Sequence, residues 1–229
     1  MNTKKTTLGL LLLMGTAHFV GCKAGDKSTT TVATGQKKVT PAQTHTLVNV
    51  RDYCGDGIIV DLCFYTTKNF MNKKFYSHNE PFLHKDAAVA LAKAVKAAQK
   101  HGYKLFISDA YRPMPVQRAL WQALPDERYV ANPEKGGFHT RGIAVDITLV
   151  DKNGHQLPMP SEIDDMTEKA HRKNYEKLPQ NIRENILLLE KIMDEAGFEP
   201  FAFEWWHYNL KGWKNYPPLT VTFDELVGA

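Results

Sequence analysis

The sequence predicts an α+β fold, a mostly antiparallel central sheet with flanking helices in a single domain over residues 46–229. Two observations carry that expectation. Stretches with the apolar period of helices interleave with alternating or continuous apolar runs of strand length. The late strand-like runs are joined by tight polar turns, where a doubly wound parallel sheet would need crossover helices. No internal repeat interrupts this order, and 229 residues suffice to bury a substantial core. The formal net charge of +4 is small and the lysines are scattered, so no nucleic-acid partner is expected.

The beginning of the chain differs from the rest. Lys4 and Lys5 precede Leu8–Val20, an apolar run too short to cross a bilayer comfortably. With small residues ahead of Cys22, residues 1–21 read as an export signal. Phe19-Val20-Gly21-Cys22 resembles a bacterial lipobox, which implies lipid on Cys22, a membrane anchor, and a place in the cell envelope or periplasm. Phe19 stands where Leu is usual, so ordinary cleavage near Ala17 remains the alternative. Residues 22–45 are rich in Lys, Thr, Gly and Ser and bury too little apolar surface to offset their ordering entropy. A flexible tether is expected there.

The folded part follows in order. Ile58–Tyr65 is a continuous apolar run and predicts a buried strand. Asp86 is placed to cap a helix reaching His101, with Val89, Leu91, Ala92, Val95 and Ala98 as its stripe and Gly102 as its stop. Tyr103–Ile107 is the next strand. Pro115 suits the first turn of a second helix carrying Val116, Leu120 and Leu124. After a loop over residues 126–138, Ile143, Val145, Ile147 and Leu149 alternate as one face of a strand. Asp151-Lys152-Asn153-Gly154 is a hairpin turn. Residues 158–178 are polar and irregular. A helix over Gln180–Ala196 then stops at Gly197, and Phe201–Leu210 forms an aromatic strand. Cys54 and Cys63 are close enough in sequence for a disulfide in an oxidising compartment, and equally suited to being separate buried thiols.

Three places carry chemistry. His139 and Asp146 flank a glycine turn, and Asp146 sits mid-strand on the face opposite the apolar residues. An imidazole and a carboxylate that converge make two ligands of a zinc site, although such a pair is more often a surface hydrogen bond. Glu204-Trp205-Trp206-His207 supplies a third ligand, His207, and a base, Glu204; the alternative is a solvated Glu and a packed His. Three protein ligands leave one zinc position for water. Glu204 and His207 are three apart, which in a regular strand puts them on opposite faces. Both face one metal only if the strand is bulged. Arg112, held out of helical geometry by Pro113, either stabilises a growing oxyanion or pairs with Asp109.

Three blocks together resemble the VanX-type zinc D-Ala-D-Ala dipeptidases. They are Ser108–Pro113, His139–Asp146 with its H-x-x-G-x-A-x-D pattern, and Glu204–Tyr208. The likeness covers nearly all of residues 47–229. It implies one zinc on His139, Asp146 and His207, Glu204 as general base, Arg112 as transition-state stabiliser, and a small closed pocket for a free dipeptide. It also implies an acid for the substrate ammonium at Asp164, with Asp165 adjacent. Gly137 stands where that family often has Ser. Phe64-Tyr65-Thr66-Thr67 stands where it has Tyr-Ala-Thr, so the tyrosine hydroxyl that would touch substrate has moved to Tyr65 or that contact is absent. A zinc D,D-carboxypeptidase acting on wall stem peptides and a non-catalytic wall-binding lipoprotein are the competing readings.

Overall fold

A computed structural model describes residues 46–228, so the signal segment 1–21 and the tether 22–45 with Cys22 lie outside the described residues. Strand β1 (Leu47–Asn49) runs into the one-turn helix α1 (Arg51–Cys54) and then β2 (Ile58–Val60). The strand expected over Ile58–Tyr65 therefore ends early, and Cys63–Tyr65 is a single 3-10 turn. Asparagine side chains take the groups that a longer strand would need. Leu62 N–H donates to Asn79 Oδ1 at 2.9 Å, and Asn69 Nδ2 donates to Cys63 O at 2.9 Å.

Strand β3 (Phe82–His84) pairs antiparallel with β1. It leads directly into α2 (Lys85–Lys100), two residues earlier than a cap at Asp86 predicts. The cap is His84, whose Nδ1 accepts from Asp86 N–H at 3.2 Å. Leu91, Val95 and Ala98 are buried as expected, but Val89 is 42% exposed. Ala87, Ala88 and Ala94 complete the stripe instead, which rotates the buried face slightly.

The remaining elements are β4 (Lys104–Asp109), α3 (Met114–Ala123), β5 (Ala144–Val150), α4 (Gln180–Ala196), β6 (Phe198–Phe201), β7 (Glu204–Leu210) and α5 (Phe223–Val227). Pro115 lies in the first turn of α3, and Gly197 stops α4 at φ +102°. The expected aromatic strand is a hairpin, β6 and β7 separated by Ala202-Phe203. Five strands form one sheet in the order β2-β4-β5-β7-β6, with only β2–β4 parallel. The α+β class with a mostly antiparallel sheet holds.

Strand β5 is buried along its whole length. Helices α2 and α4 pack on each other, and Leu91, Leu105, Ile107, Ile147, Leu189 and Ile192 are at most 1% exposed. Each such side chain contributes about 1.5–3 kcal/mol by leaving water. The site-bearing strands are thus the best-anchored part of the sheet. Cys54 and Cys63 are both buried and free, so they form no disulfide with each other.

Candidate active site

Strand register brings three polar residues into line across the middle of the sheet. Asp109 on β4 pairs with Asp146 on β5, and Asp146 pairs with His207 on β7. A register irregularity between Ile107 and Asp109 ends β4 beside them. His139 arrives from a 3-10 turn (His139–Arg141) closed by Gly142 at φ +67°. A Cβ on Gly142 would lie 2.6 Å from Leu47 Cδ2 and 3.0 Å from His84 N, so both the turn and its packing require glycine.

His139 Nδ1 lies 2.7 Å from Ala110 O. A carbonyl only accepts, so Nδ1 carries the proton and Nε2 presents a lone pair to the site. From that Nε2, His207 Nδ1 is 3.1 Å away and Asp146 Oδ1 is 3.3 Å away, while His207 Nδ1 to Asp146 Oδ1 is 3.1 Å. Ligand atoms about 2.0–2.1 Å from a tetrahedral zinc stand roughly 3.3–3.4 Å from one another. The three donors therefore form the base of a tetrahedron of the right edge length, and all three residues are buried. Two imidazoles and one carboxylate also match zinc in ligand chemistry. His207 Nε2 is buried and without a protein partner. Burial lowers His207 to about 4, keeping the imidazole neutral with a lone pair to offer. Burial alone would raise the Asp146 carboxyl, but the two imidazoles beside it outweigh burial and hold it well below the usual range.

Glu204 shares this side of the sheet. Its Oε2 is 3.6 Å from His207 Nδ1, and it is only 6% exposed. Strand β7 is irregular there: β6 pairs Pro200 with Tyr208, then Phe201 with Glu204. That bulge lets residues three apart face one point. Burial, and next the Asp146 charge, push the Glu204 carboxyl well above its ordinary value.

Arg112 makes the ion pair with Asp109 and also lines the cavity beside His139 and Asp146. Nε and Nη2 donate to Asp109 Oδ2 at 3.0 and 2.8 Å, and Nη1 donates to Gln117 Oε1 at 3.0 Å. The guanidinium also lies over the Phe64 ring, 5.0 Å from its centroid, and Nη2 stands 3.9 Å from Asp146 Oδ2. Of five guanidinium N–H groups these contacts use three, leaving two for the cavity beside the ligands. The fixed partners hold the fork in place before any ligand arrives.

A family model described as D-ala-D-ala dipeptidase, of the M15 peptidases, matches residues 43–224. The chain belongs to this family. A D-alanyl-D-alanine dipeptidase of Escherichia coli (strain K12) is 40% identical over 164 residues, 72% of this chain and 84% of that one. The protein of that name from Enterococcus faecium is 32% identical over 176 residues, 68% of this chain and 87% of that one. Among solved structures, VanYB in complex with D-Alanine-D-Alanine is 18% identical with a TM-score of 0.38, covering 62% of this chain and 78% of that one.

The candidate M15 site opens into a cavity of about 230 Å³ lined by His139, Asp146, His207, Glu204, Arg112 and Asp164. Asp164 joins them from the irregular segment, with φ +70° and its Oδ2 accepting from Phe70 N–H at 2.6 Å. Burial pushes its carboxyl up to about 7. Asp165 is not part of this lining, so of the two adjacent acids the structure brings Asp164 to the site. Tyr65 is not brought to the cavity. The 3-10 turn that replaces the end of the expected strand aims Phe64 into the cavity and leaves Tyr65 outside its lining, beneath Lys74 Nζ at 4.0 Å from the ring. Gly137 has a packing reason, because a Cβ there would lie 2.9 Å from Ala131 Cβ.

Two supporting residues were not singled out from the sequence. Tyr76 Oη donates to Asp109 Oδ1 at 2.7 Å, and Gln117 Nε2 donates to Ala131 O at 2.7 Å. An amide among the buried positions of α3, next to Val116 and Leu120, was a readable sign for Gln117. Nothing local marks Tyr76.

Proposed function

We propose that the chain hydrolyses the free dipeptide D-alanyl-D-alanine with one zinc ion held by His139 Nε2, Asp146 Oδ1 and His207 Nδ1. The observation that carries this is the donor triangle of 3.1, 3.1 and 3.3 Å with Glu204 Oε2 at 3.6 Å. Zinc bound there supplies a Lewis acid and a water acidic enough to lose a proton near neutral pH. Glu204 takes that proton on its carboxylate and passes it to the leaving amine. The two unused N–H groups of Arg112 stabilise the negative charge that grows on the carbonyl oxygen. Asp164 receives the substrate ammonium, an ion pair that positions the scissile bond. Tyr65 has no part in this scheme.

The cavity supports the dipeptide reading over the carboxypeptidase one, since about 230 Å³ is smaller than the roughly 300–1,000 Å³ of pockets for larger ligands. The purified chain, loaded with zinc, should cut D-alanyl-D-alanine and leave a pentapeptide ending in that dipeptide intact. Chelation should abolish turnover and zinc should restore it. Preference for the pentapeptide would move the assignment to a carboxypeptidase, and no metal-dependent hydrolysis of either would leave a wall-binding role.

The run from Lys4 to Cys22 supports export, and the lipobox-like Phe19–Cys22 supports a lipid anchor on Cys22 in the cell envelope. An exported dipeptidase meets dipeptide released from the wall rather than newly made precursor. A Cys22→Ser variant should be found in the soluble fraction if the anchor exists; unchanged membrane association would overturn it.

A further inference from the structure

The bulge that aligns Glu204 and His207 leaves backbone groups that the sheet does not pair. Pairing of β7 with β5 ends at His207, and pairing with β6 skips from Tyr208 to Glu204. Trp205, Trp206 and His207 thus lack partners on β6. Buried carbonyls left in this way need donors from elsewhere.

One side chain supplies them. Arg172 Nη2 donates to Trp205 O at 2.7 Å, with longer contacts to Glu204 O at 3.2 Å and His207 O at 3.4 Å. Its Nε donates to Phe201 O at 2.7 Å, and its own backbone N–H donates to Ala202 O at 3.1 Å. The guanidinium is pinned from behind by an ion pair with Glu190 and by the Tyr208 ring, 4.8 Å from its centroid. Its side chain is 12% exposed. A planar fork reaches both strands of the hairpin at once, which a compact ammonium does not.

We propose that Arg172 is a positioning residue for the catalytic base: it holds the β6–β7 hairpin open at the bulge so that Glu204 and His207 face the same point. Without those hydrogen bonds the strand relaxes towards regular pairing, in which residues three apart point to opposite faces. Arg172 lines no part of the cavity and touches no substrate. This inference rests on the proposed role of Glu204 and extends it to the backbone that presents the base.

Three variants of the full chain test it. Arg172→Lys keeps the charge beside Glu190 but loses the fork. It should lower kcat about 100-fold with KM changed less than threefold, and weaken zinc binding about 10-fold, in the range that supporting residues of metal sites show. Glu190→Gln loosens the same guanidinium from behind without removing its carbonyl contacts. It should lower Tm yet leave kcat and zinc affinity within about twofold of the parent. Glu204→Gln should lose kcat while binding zinc normally. Parental kcat and zinc affinity in folded Arg172→Lys would overturn the proposal, as would Glu190→Gln losing kcat to the same extent. If Glu204→Gln stays active, the base assignment fails, and zinc affinity in Arg172→Lys still decides whether Arg172 sets His207. Should Arg172→Lys not fold, Arg172→Met/Glu190→Gln, which leaves no lone charge, carries the same expectations and the same refutation.

Discussion

Asp164→Asn should make the metal-free protein more stable at alkaline pH while weakening substrate binding. Burial raises the Asp164 carboxyl from 3.8 to about 7. A folded-state pKa above the unfolded one means that the folded state prefers the protonated acid. Stability is therefore highest below the unfolded value and is lost as pH rises through the folded value. Three units at about 1.4 kcal/mol each give a cost near 4 kcal/mol above pH 7, and partial solvent access at this half-buried position reduces it to about 2–3 kcal/mol. Asparagine keeps an oxygen for Phe70 N–H and carries no charge, so this cost disappears. In a chain of this size, about 2–4 °C of Tm accompanies each kcal/mol, so melts at pH 8 should rise by roughly 4–12 °C. The gain should shrink as the melts are repeated at lower pH. In the zinc-loaded enzyme the same variant loses a charge-assisted contact with the ammonium, worth about 1.5–3 kcal/mol, and KM for the dipeptide should rise roughly 10- to 100-fold. A lower Tm at pH 8 would refute the burial reasoning; an unchanged KM would refute the ammonium contact.

Arg112→Lys should reduce kcat more than it raises KM, because lysine cannot keep Asp109 and Gln117 engaged while pointing donors into the cavity. A loss of about 100-fold or more in steady-state kcat is expected, and a pure KM effect would move Arg112 to ground-state binding. Gly137→Ser should destabilise the chain by about 1–3 kcal/mol, since its Cβ would meet Ala131 Cβ at 2.9 Å. Adding Ala131→Gly should recover most of that loss in thermal melts, and no recovery would show that the crowding lies elsewhere.

The parts of the site that the sequence revealed are those whose chemistry is carried by residue type at short range. His139 and Asp146 flank one turn, and Glu204 and His207 share one strand, so each pair could be recognised before any pairing was known. What joined the pairs was register, Asp109 beside Asp146 beside His207 across three strands, which depends on contacts distant in sequence. The absence of Tyr65 from the cavity lining has the same origin. Periodicity extended the strand through Ile58–Tyr65, but Asn69 and Asn79 capture backbone groups of Cys63 and Leu62 and turn the chain, exchanging Phe64 for Tyr65 at the cavity. Arg112 offered two alternatives in the sequence because one guanidinium was weighed between an ion pair and a substrate contact. Five N–H groups allow both, and the Asp109 pair is what keeps the other donors aimed. The odd spacing between Glu204 and His207 was the most informative conflict. A period of two forbids their convergence, so a metal ligand and its base at that spacing demand a break in the strand. The sequence could state that demand but not the means of meeting it. Arg172 lies far back along the chain in a stretch that reads as polar loop, and its guanidinium provides the donors that the broken ladder lacks. A local rule violated at a functional site thus points to a compensating group elsewhere, and here the unpaired carbonyls identify which one.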